Sequence, residues 1–173
     1  MHPSVCFGVG SGNFLGYMVT YKGIEVNSDQ IKAINGLQSP RNPKEVQKLT
    51  KMTAALNRFI SRSPDRCKPF FLLLHKWKRF EWTEECAVAF QQLKEYLSWP
   101  PIMSSPEMDE VLFAYLAVAS HAVSFVLIQV GSGIQRPVYY VSKSLHEAEV
   151  WYLPLEKAIL AVVYATRKLP HYF

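Results

Sequence analysis

Carboxylates that could hold metal ions are scarce in this chain of 173 residues, whose only aspartates are Asp29, Asp65 and Asp109, far apart in sequence. Chemistry that needs a tight cluster of Asp side chains must find it there or not at all. Glu156 follows Pro154 closely, and an acid in the first turn of a helix is favoured by the helix dipole whether or not it does chemistry. The histidines (His2, His75, His121, His146, His171) and cysteines (Cys6, Cys67, Cys86) do not recur at zinc-ligand spacing, so no metal site is expected. An odd number of distant cysteines suggests reduced thiols in an intracellular setting. Ser120 adjoins His121, but neighbours on a strand point to opposite faces, which argues against a nucleophile and base pair. Gly8-Val-Gly-Ser-Gly12 has Asn13 where a phosphate-cradling Gly-x-Gly-x-x-Gly would carry its third glycine, and it reads as a loop.

The residues that could grip a ligand are basic. Residues 1–99 carry 14 Lys and Arg against 8 Asp and Glu, whereas residues 100–173 carry 5 against 6, so the net +5 belongs to the first half. Between Arg41 and Arg79 the basic residues Arg41, Lys44, Lys48, Lys51, Arg58, Arg62, Arg66, Lys68, Lys76, Lys78 and Arg79 face only Glu45 and Asp65. Such a field favours a polyanion, with a solvated face as the plainer reading. Trp77, Trp82, Trp99 and Trp151 have the chemistry to stack on bases, but their apolar surroundings favour packing in the core or connector.

These side chains need elements to position them. A hydrophobic content of 49% with 19% charged residues predicts an ordinary globular chain, and no apolar run approaches the roughly 20 residues of a membrane span. The start, Met1-His-Pro-Ser4, has no basic and apolar leader, so no secretory signal is expected. Phe14 to Thr20 and Ile24 to Val26 read as a hairpin around Tyr21-Lys-Gly23, followed by a helix with Ser28 as its cap. Asn42-Pro43 opens a second helix, predicted to reach Ile60, with Val46, Leu49, Met52, Leu56, Phe59 and Ile60 on its apolar face. Lys44, Lys48, Lys51, Arg58 and Arg62 would then form one stripe beside that face, placed to track phosphates. Ser63-Pro64 is expected to end that helix, a short segment Pro69–Leu74 follows, and Thr83 caps another helix with Ala87, Phe90, Leu93 and Leu97 inward. After the proline-rich connector Trp99–Pro106 come three strand-like runs, Val111–Val118, Ala122–Gln129 and Arg136–Val141. A last helix opens at Pro154 with Leu155, Ile159, Val162 and Val163 on its expected buried side.

The order of motifs resembles a known family. Phe14-Leu-Gly-Tyr, Gly23-Ile-Glu-Val, Lys32-Ala-Ile, Pro43-Lys-Glu-Val-Gln-Lys-Leu, Leu56-Asn-Arg-Phe-Ile60, and Phe80-Glu-Trp-Thr with Ala89-Phe-Gln-Gln-Leu93 resemble the palm end and thumb of Ty3/Gypsy-type reverse transcriptases. Pro100-Pro-Ile, Val126-Leu127, Arg136-Pro-Val-Tyr-Tyr-Val-Ser-Lys143, Glu149-Val-Trp-Tyr152, Glu156-Lys157 and Leu169-Pro-His-Tyr-Phe173 resemble the first half of the RNase H-like domain that follows in those Pol polyproteins, in wording nearest to plant elements. The resemblance implies an α/β fold: a palm-end and thumb-like region at 1–99, with a β-hairpin and helices, and at 100–173 a truncated RNase H-like domain of three antiparallel strands and one helix.

The intact family copies RNA into DNA and hydrolyses the RNA of a hybrid with Mg2+. This sequence departs from it in two places. The family's polymerase turn, Tyr-x-Asp-Asp, has no counterpart, since no Asp-Asp pair occurs. The hydrolytic site needs several carboxylates around two metal ions, and its first Asp sits in a Thr-Asp-Ala-Ser context. Here that stretch reads Leu116-Ala-Val-Ala-Ser120, so Ala117 or Val118 replaces it, leaving Glu156 as the one matching acid. One carboxylate cannot organise two hard cations. The expectation is therefore a catalytically inactive fragment with no cofactor of its own. It would bind RNA/DNA hybrid or duplex backbone weakly through Arg41, Lys44, Lys48, Lys51, Arg58 and Arg62, with the remainder of a Pol polyprotein as a further partner and no membrane. The competing expectation is an inert scaffold or protein-interaction module.

Overall fold

The computed structural model describes residues 10–14, 17–75, 80–107, 109–131 and 133–173. It is a mixed α/β fold with two three-stranded antiparallel sheets and five α-helices, in agreement with the expected class. The first sheet holds β1 (Ser11–Phe14), β2 (Tyr17–Thr20) and β3 (Gly23–Val26) in sequence order. The expected loop at Gly8–Gly12 is thus partly strand, because Ser11 and Gly12 pair with Thr20 and Val19; residues 8 and 9 lie outside the described residues. Gly23 has φ +131°, and a Cβ there would lie 2.0 Å from the Met103 carbonyl oxygen. Only glycine lets the connector approach this closely.

Helix α1 (Ser28–Asn35) is capped by Asn27, whose Oδ1 accepts the Asp29 N–H at 2.9 Å, so the cap falls one residue before the expected Ser28. Its C-terminal end is held by Lys94, whose Nζ donates to the Asn35 and Leu37 carbonyls at 2.9 and 2.6 Å, a cation where the dipole favours one. Helix α2 (Pro43–Ala55) begins as read, with Asn42 Oδ1 accepting the Glu45 N–H at 3.0 Å. It stops five residues short of Ile60. A 3-10 turn at Asn57–Phe59 tightens the chain and drives Phe59 and Ile60 fully inside, after which Arg62 at φ +53° reverses direction. Burial of two such side chains, at about 1.5–3 kcal/mol each, outweighs the continuation that helical periodicity alone favours.

Ser63-Pro64 starts a helix where an end was expected: α3 (Ser63–His75) has Pro64 in its first turn, where the missing N–H costs nothing, and carries Pro69 within it. Helix α4 (Glu84–Ser98) is capped by Thr83 as read. Between α3 and α4, Phe70 and Trp82 stack with centroids 5.9 Å apart, and Phe90 meets both edge-on. Val26, Ile34, Leu49, Phe59, Phe70, Leu93 and Met103 belong to this first core. Met103, in the proline-rich connector, is fully buried there and exchanges both backbone hydrogen bonds with Ile24, at 2.8 and 2.9 Å.

The second sheet holds β4 (Leu112–Val118), β5 (Ala122–Gly131) and β6 (Ile134–Ser144), each in or beyond the span expected, with Gly133 at φ +76° in the turn and a bulge at Leu127/Ile128. Helix α5 (Pro154–Lys168) crosses one face, and Phe125, Leu127, Val138, Val141, Ala165 and Leu169 form the second core. Its apolar side is the reverse of the expectation. Leu155, Ile159, Val162 and Val163 are exposed, while Lys157, Ala161 and Ala165 face the sheet. The helix is apolar on both sides, and the alanine side allows the closer approach to a sheet already filled by Phe125 and Leu127.

Candidate functional site

Two places in the fold merit testing as sites: the basic surface of the first lobe, and the corner where β4 ends beside the first turn of α5. On the first, Lys44, Lys48 and Lys51 stand exposed along α2 at helical spacing, with exposed Arg41 just before it. None of them takes part in the ion pairs found among the described residues. Glu45, the acid of that helix, is occupied as a cap, accepting the Arg41 N–H at 2.7 Å and the Asn42 side-chain amide at 2.8 Å.

The stripe does not continue to Arg58 and Arg62, because the helix that would carry it ends at Ala55. Arg58 turns inward: its guanidinium carbon lies 4.5 Å from the Tyr139 ring centroid, 5.1 Å from Tyr17 and 5.6 Å from Phe59. A cation over several ring faces is a packed group, and this one joins the first sheet to β6. Arg62 remains exposed, ion-paired to Asp65 at 3.0 Å. Arg66 is also structural, donating from Nε to the Ser61 carbonyl at 3.0 Å with its guanidinium over Tyr96. Basic spacing could not separate these arginines from the lysines; the clue was the aromatic content of the residues they meet. Lys76, Lys78, Arg79 and Trp77 lie outside the described residues, as do His2 and Cys6.

One turn beyond Lys51, Ala54 lines a cleft of about 540 Å³ between the lobes, whose walls include Cys67, Tyr139, Lys143, His146 and Lys168. Lys143 is ion-paired to Glu149. Its hydrogen bond, together with the His146 N–H at 2.8 Å, holds the Glu149 carboxyl below the usual carboxylate range. Burial pushes the Cys67 thiol up, which keeps it protonated and unreactive. Of the tryptophans, Trp82 packs in the first core, but Trp99 and Trp151 are 87% and 86% exposed, against the expectation that both are packed.

At the second place, strand register separates the two candidate positions. Val118 pairs with Val123 on the face that carries Phe125 and Leu127 and receives α5, whereas Ala117 pairs with Ser124 on the opposite face. Neither side chain offers an oxygen. Glu156 Oε2 accepts the Leu153 N–H at 2.7 Å and so closes the start of α5 as a cap. The neighbouring Lys157 is buried and donates from Nζ to the Ser120 carbonyl at 3.2 Å, which puts an ammonium at the end of β4. Its pairing with Glu156 in sequence gave no hint of that role. Asp29 pairs with Lys32 at 3.8 Å, and among the described residues no three His, Cys, Asp or Glu side chains gather as a metal site would require. Ser120 and His121 lie in the turn before β5, outside any strand, where the Ser120 carbonyl receives Lys157 and the His121 carbonyl accepts the Leu145 N–H at 2.9 Å.

Residues 82–173 match the family described as the RNase H-like domain found in reverse transcriptase. The chain is 31% identical over 161 residues to the retrovirus-related Pol polyprotein from transposon 297 of Drosophila melanogaster, covering 92% of this chain and 15% of that polyprotein. It is 26% identical over 160 residues to the transposon Tf2-3 polyprotein of Schizosaccharomyces pombe, covering 92% and 12%. The chain thus spans less than a fifth of the curated relatives it matches. Among solved structures, the foamy viral protease-reverse transcriptase in complex with dsDNA superposes with a TM-score of 0.79 at 21% identity, over 94% of this chain and 34% of that one. The same enzyme in complex with RNA/DNA hybrid gives 0.78 at 22% identity, over 92% and 22%. These likenesses agree with the Ty3/Gypsy-type Pol resemblance read from the motifs.

Proposed function

The chain belongs to the family of RNase H-like domains found in reverse transcriptase, and from that membership we propose that it is a segment of a retrotransposon Pol protein that holds nucleic acid without cutting or copying it. In this reading residues 1–99 are the palm-end and thumb-like part and residues 100–173 the RNase H-like part. The observation that carries the binding half is the row Arg41, Lys44, Lys48 and Lys51, exposed and free of acidic partners among the described residues. Arg62 contributes from the turn after α2, in competition with Asp65. Such a row neutralises phosphates whatever the base sequence, so the ligand class is the backbone of an RNA/DNA hybrid or duplex.

The silent half of the reading rests on the corner beside α5. With Ala117 and Val118 offering no carboxylate, Glu156 engaged as a cap and the Lys157 ammonium at the end of β4, a divalent cation meets one occupied acid and a like charge. The test is to titrate the purified chain into labelled RNA/DNA hybrid across a salt series with Mg2+ present, and to run the hybrid on a denaturing gel afterwards. Binding that weakens steeply with salt, with the RNA strand intact, is the expected result. Cleavage overturns the carboxylate argument, and absence of binding at low salt overturns the grip.

A further inference from the structure

We propose that the second half of β6 accepts an added strand, an extended acidic peptide lying in the cleft between the lobes. Within the sheet β6 pairs with β5 alone. The Leu145 N–H donates to the His121 carbonyl at 2.9 Å, continuing the register that sets Ser144 against Ala122. Hydrogen-bonded pairs alternate along an antiparallel ladder, so Lys143 and Val141 also bond to β5. Tyr140, Ser142 and Ser144 then turn their N–H and C=O groups the other way, toward the cleft of about 540 Å³ that all three line. Among the described residues these groups make no backbone hydrogen bond to another element.

The fold closes the first half of this edge and leaves the second half unguarded. Pro137 and the bulge beside it are ordinary edge protection. The Pro137 carbonyl already receives the Ser104 N–H at 2.7 Å, and Arg58 lies over the Tyr139 ring. From Tyr140 to Ser144 there is no proline and no bulge, and the one charge, Lys143, is spent on Glu149. At 3.3–3.4 Å per residue this stretch is about 17 Å long, room for five or six residues of peptide.

Backbone and side chains select the same occupant. Donors and acceptors that alternate at strand spacing are matched by another peptide backbone, whereas a run of phosphates leaves the carbonyls unmet. No acidic side chain lines the cleft, while Lys143, His146 and Lys168 do. Lys168 is exposed at the end of α5 and has no acidic partner among the ion pairs of the described residues. Tyr139 packs against the second core and Tyr140 against the first, so successive side chains of an added strand face α5 and the first lobe in turn. Acids on one side meet Lys168, and apolar residues on the other meet Pro64 and Phe71 of α3. None of this uses the phosphate-gripping row on α2.

The test titrates the isotope-labelled chain with a capped hexapeptide of alternating valine and glutamate, followed through the backbone amide resonances. Those of Ser142 and Ser144 should shift and gain protection from hydrogen exchange. Ser144→Pro removes an outward donor and no bond to β5, so binding should weaken about three- to tenfold with circular dichroism unchanged. Lys168→Gln should weaken it about two- to fivefold. Methylating one alternate set of peptide nitrogens should abolish binding and methylating the other should spare it, which charge attraction alone does not produce. Replacing Lys44, Lys48 and Lys51 by Gln should leave the peptide bound whatever happens to hybrid binding, so the two readings fail separately. A peptide that shifts neither amide, equal binding of both methylated forms, equal binding of a valine–lysine peptide, or an RNA/DNA hybrid that moves these amides where the peptide does not would each overturn the proposal.

Discussion

Lysines and arginines that look equivalent in sequence should separate cleanly when each is neutralised. Counting Arg41, Lys44, Lys48, Lys51 and Arg62 as phosphate contacts, log affinity for hybrid should fall with log salt at a slope of about −4.5, taking about 0.9 per contact. Raising salt from about 50 to about 200 mM then weakens binding roughly 500-fold. Replacing Lys44, Lys48 and Lys51 together by Gln leaves two contacts, a slope of about −1.8 and a loss of only about 12-fold over the same range. Their stability should barely change, since all three are exposed. Arg58→Gln should do the opposite. It removes a cation packed over Tyr139, Tyr17 and Phe59, about 1–3 kcal/mol for the stronger contacts together, which at this chain length lowers Tm by several degrees. Its salt slope should match that of the unsubstituted chain. Fluorescence anisotropy across salt and a thermal melt give both readouts on the same samples. A slope that drops by a full contact in Arg58→Gln, or one unmoved by the triple substitution, would refute the division between gripping lysines and packing arginine.

Gly23→Ala should cost stability out of proportion to one methyl group, because its Cβ would lie 2.0 Å from the Met103 carbonyl at a φ of +131°; strain of about 1–3 kcal/mol should appear as a lower urea midpoint, and an unchanged midpoint would contradict the close approach. The Glu149 carboxyl, held low by Lys143 and the His146 N–H, contributes stability that is fully present above the ordinary Glu range. That contribution is lost as pH falls through the depressed folded value. Lys143→Met should therefore flatten this acid limb in denaturant titrations run from neutral pH downward.

The elements with strong local chemistry were legible before any coordinates. Asn42-Pro43 and Thr83 act as the caps they resemble, and the three β-rich runs after the connector pair in order. What misled was the extension of a local pattern past the point where tertiary burial takes over. Phe59 and Ile60 continue the helical period of α2, yet they are buried by a 3-10 turn that breaks it, and with that break two arginines leave the lysine stripe. Pro64 looked like a terminator, although proline serves equally in a first turn. In α5 two apolar sides competed, and only the shape of the facing sheet decides for the small one. At the candidate catalytic corner the missing carboxylate was visible in Leu116-Ala-Val-Ala-Ser120, but which face of the sheet Ala117 and Val118 each occupy needed strand register. The buried Lys157 ammonium had no sequence signal at all.

The proline-rich connector reads in sequence as a place where the chain would bend freely, and its backbone bonds give it the opposite mechanical character. Consecutive residues reach to different sheets: Met103 exchanges two hydrogen bonds with Ile24 of β3, and the Ser104 N–H donates to the Pro137 carbonyl of β6 at 2.7 Å. Swivelling one sheet past the other would have to shear all three bonds in the same step. The joint acts as a rivet, so that a torque applied to the first sheet is passed to the second through the connector's own backbone bonds.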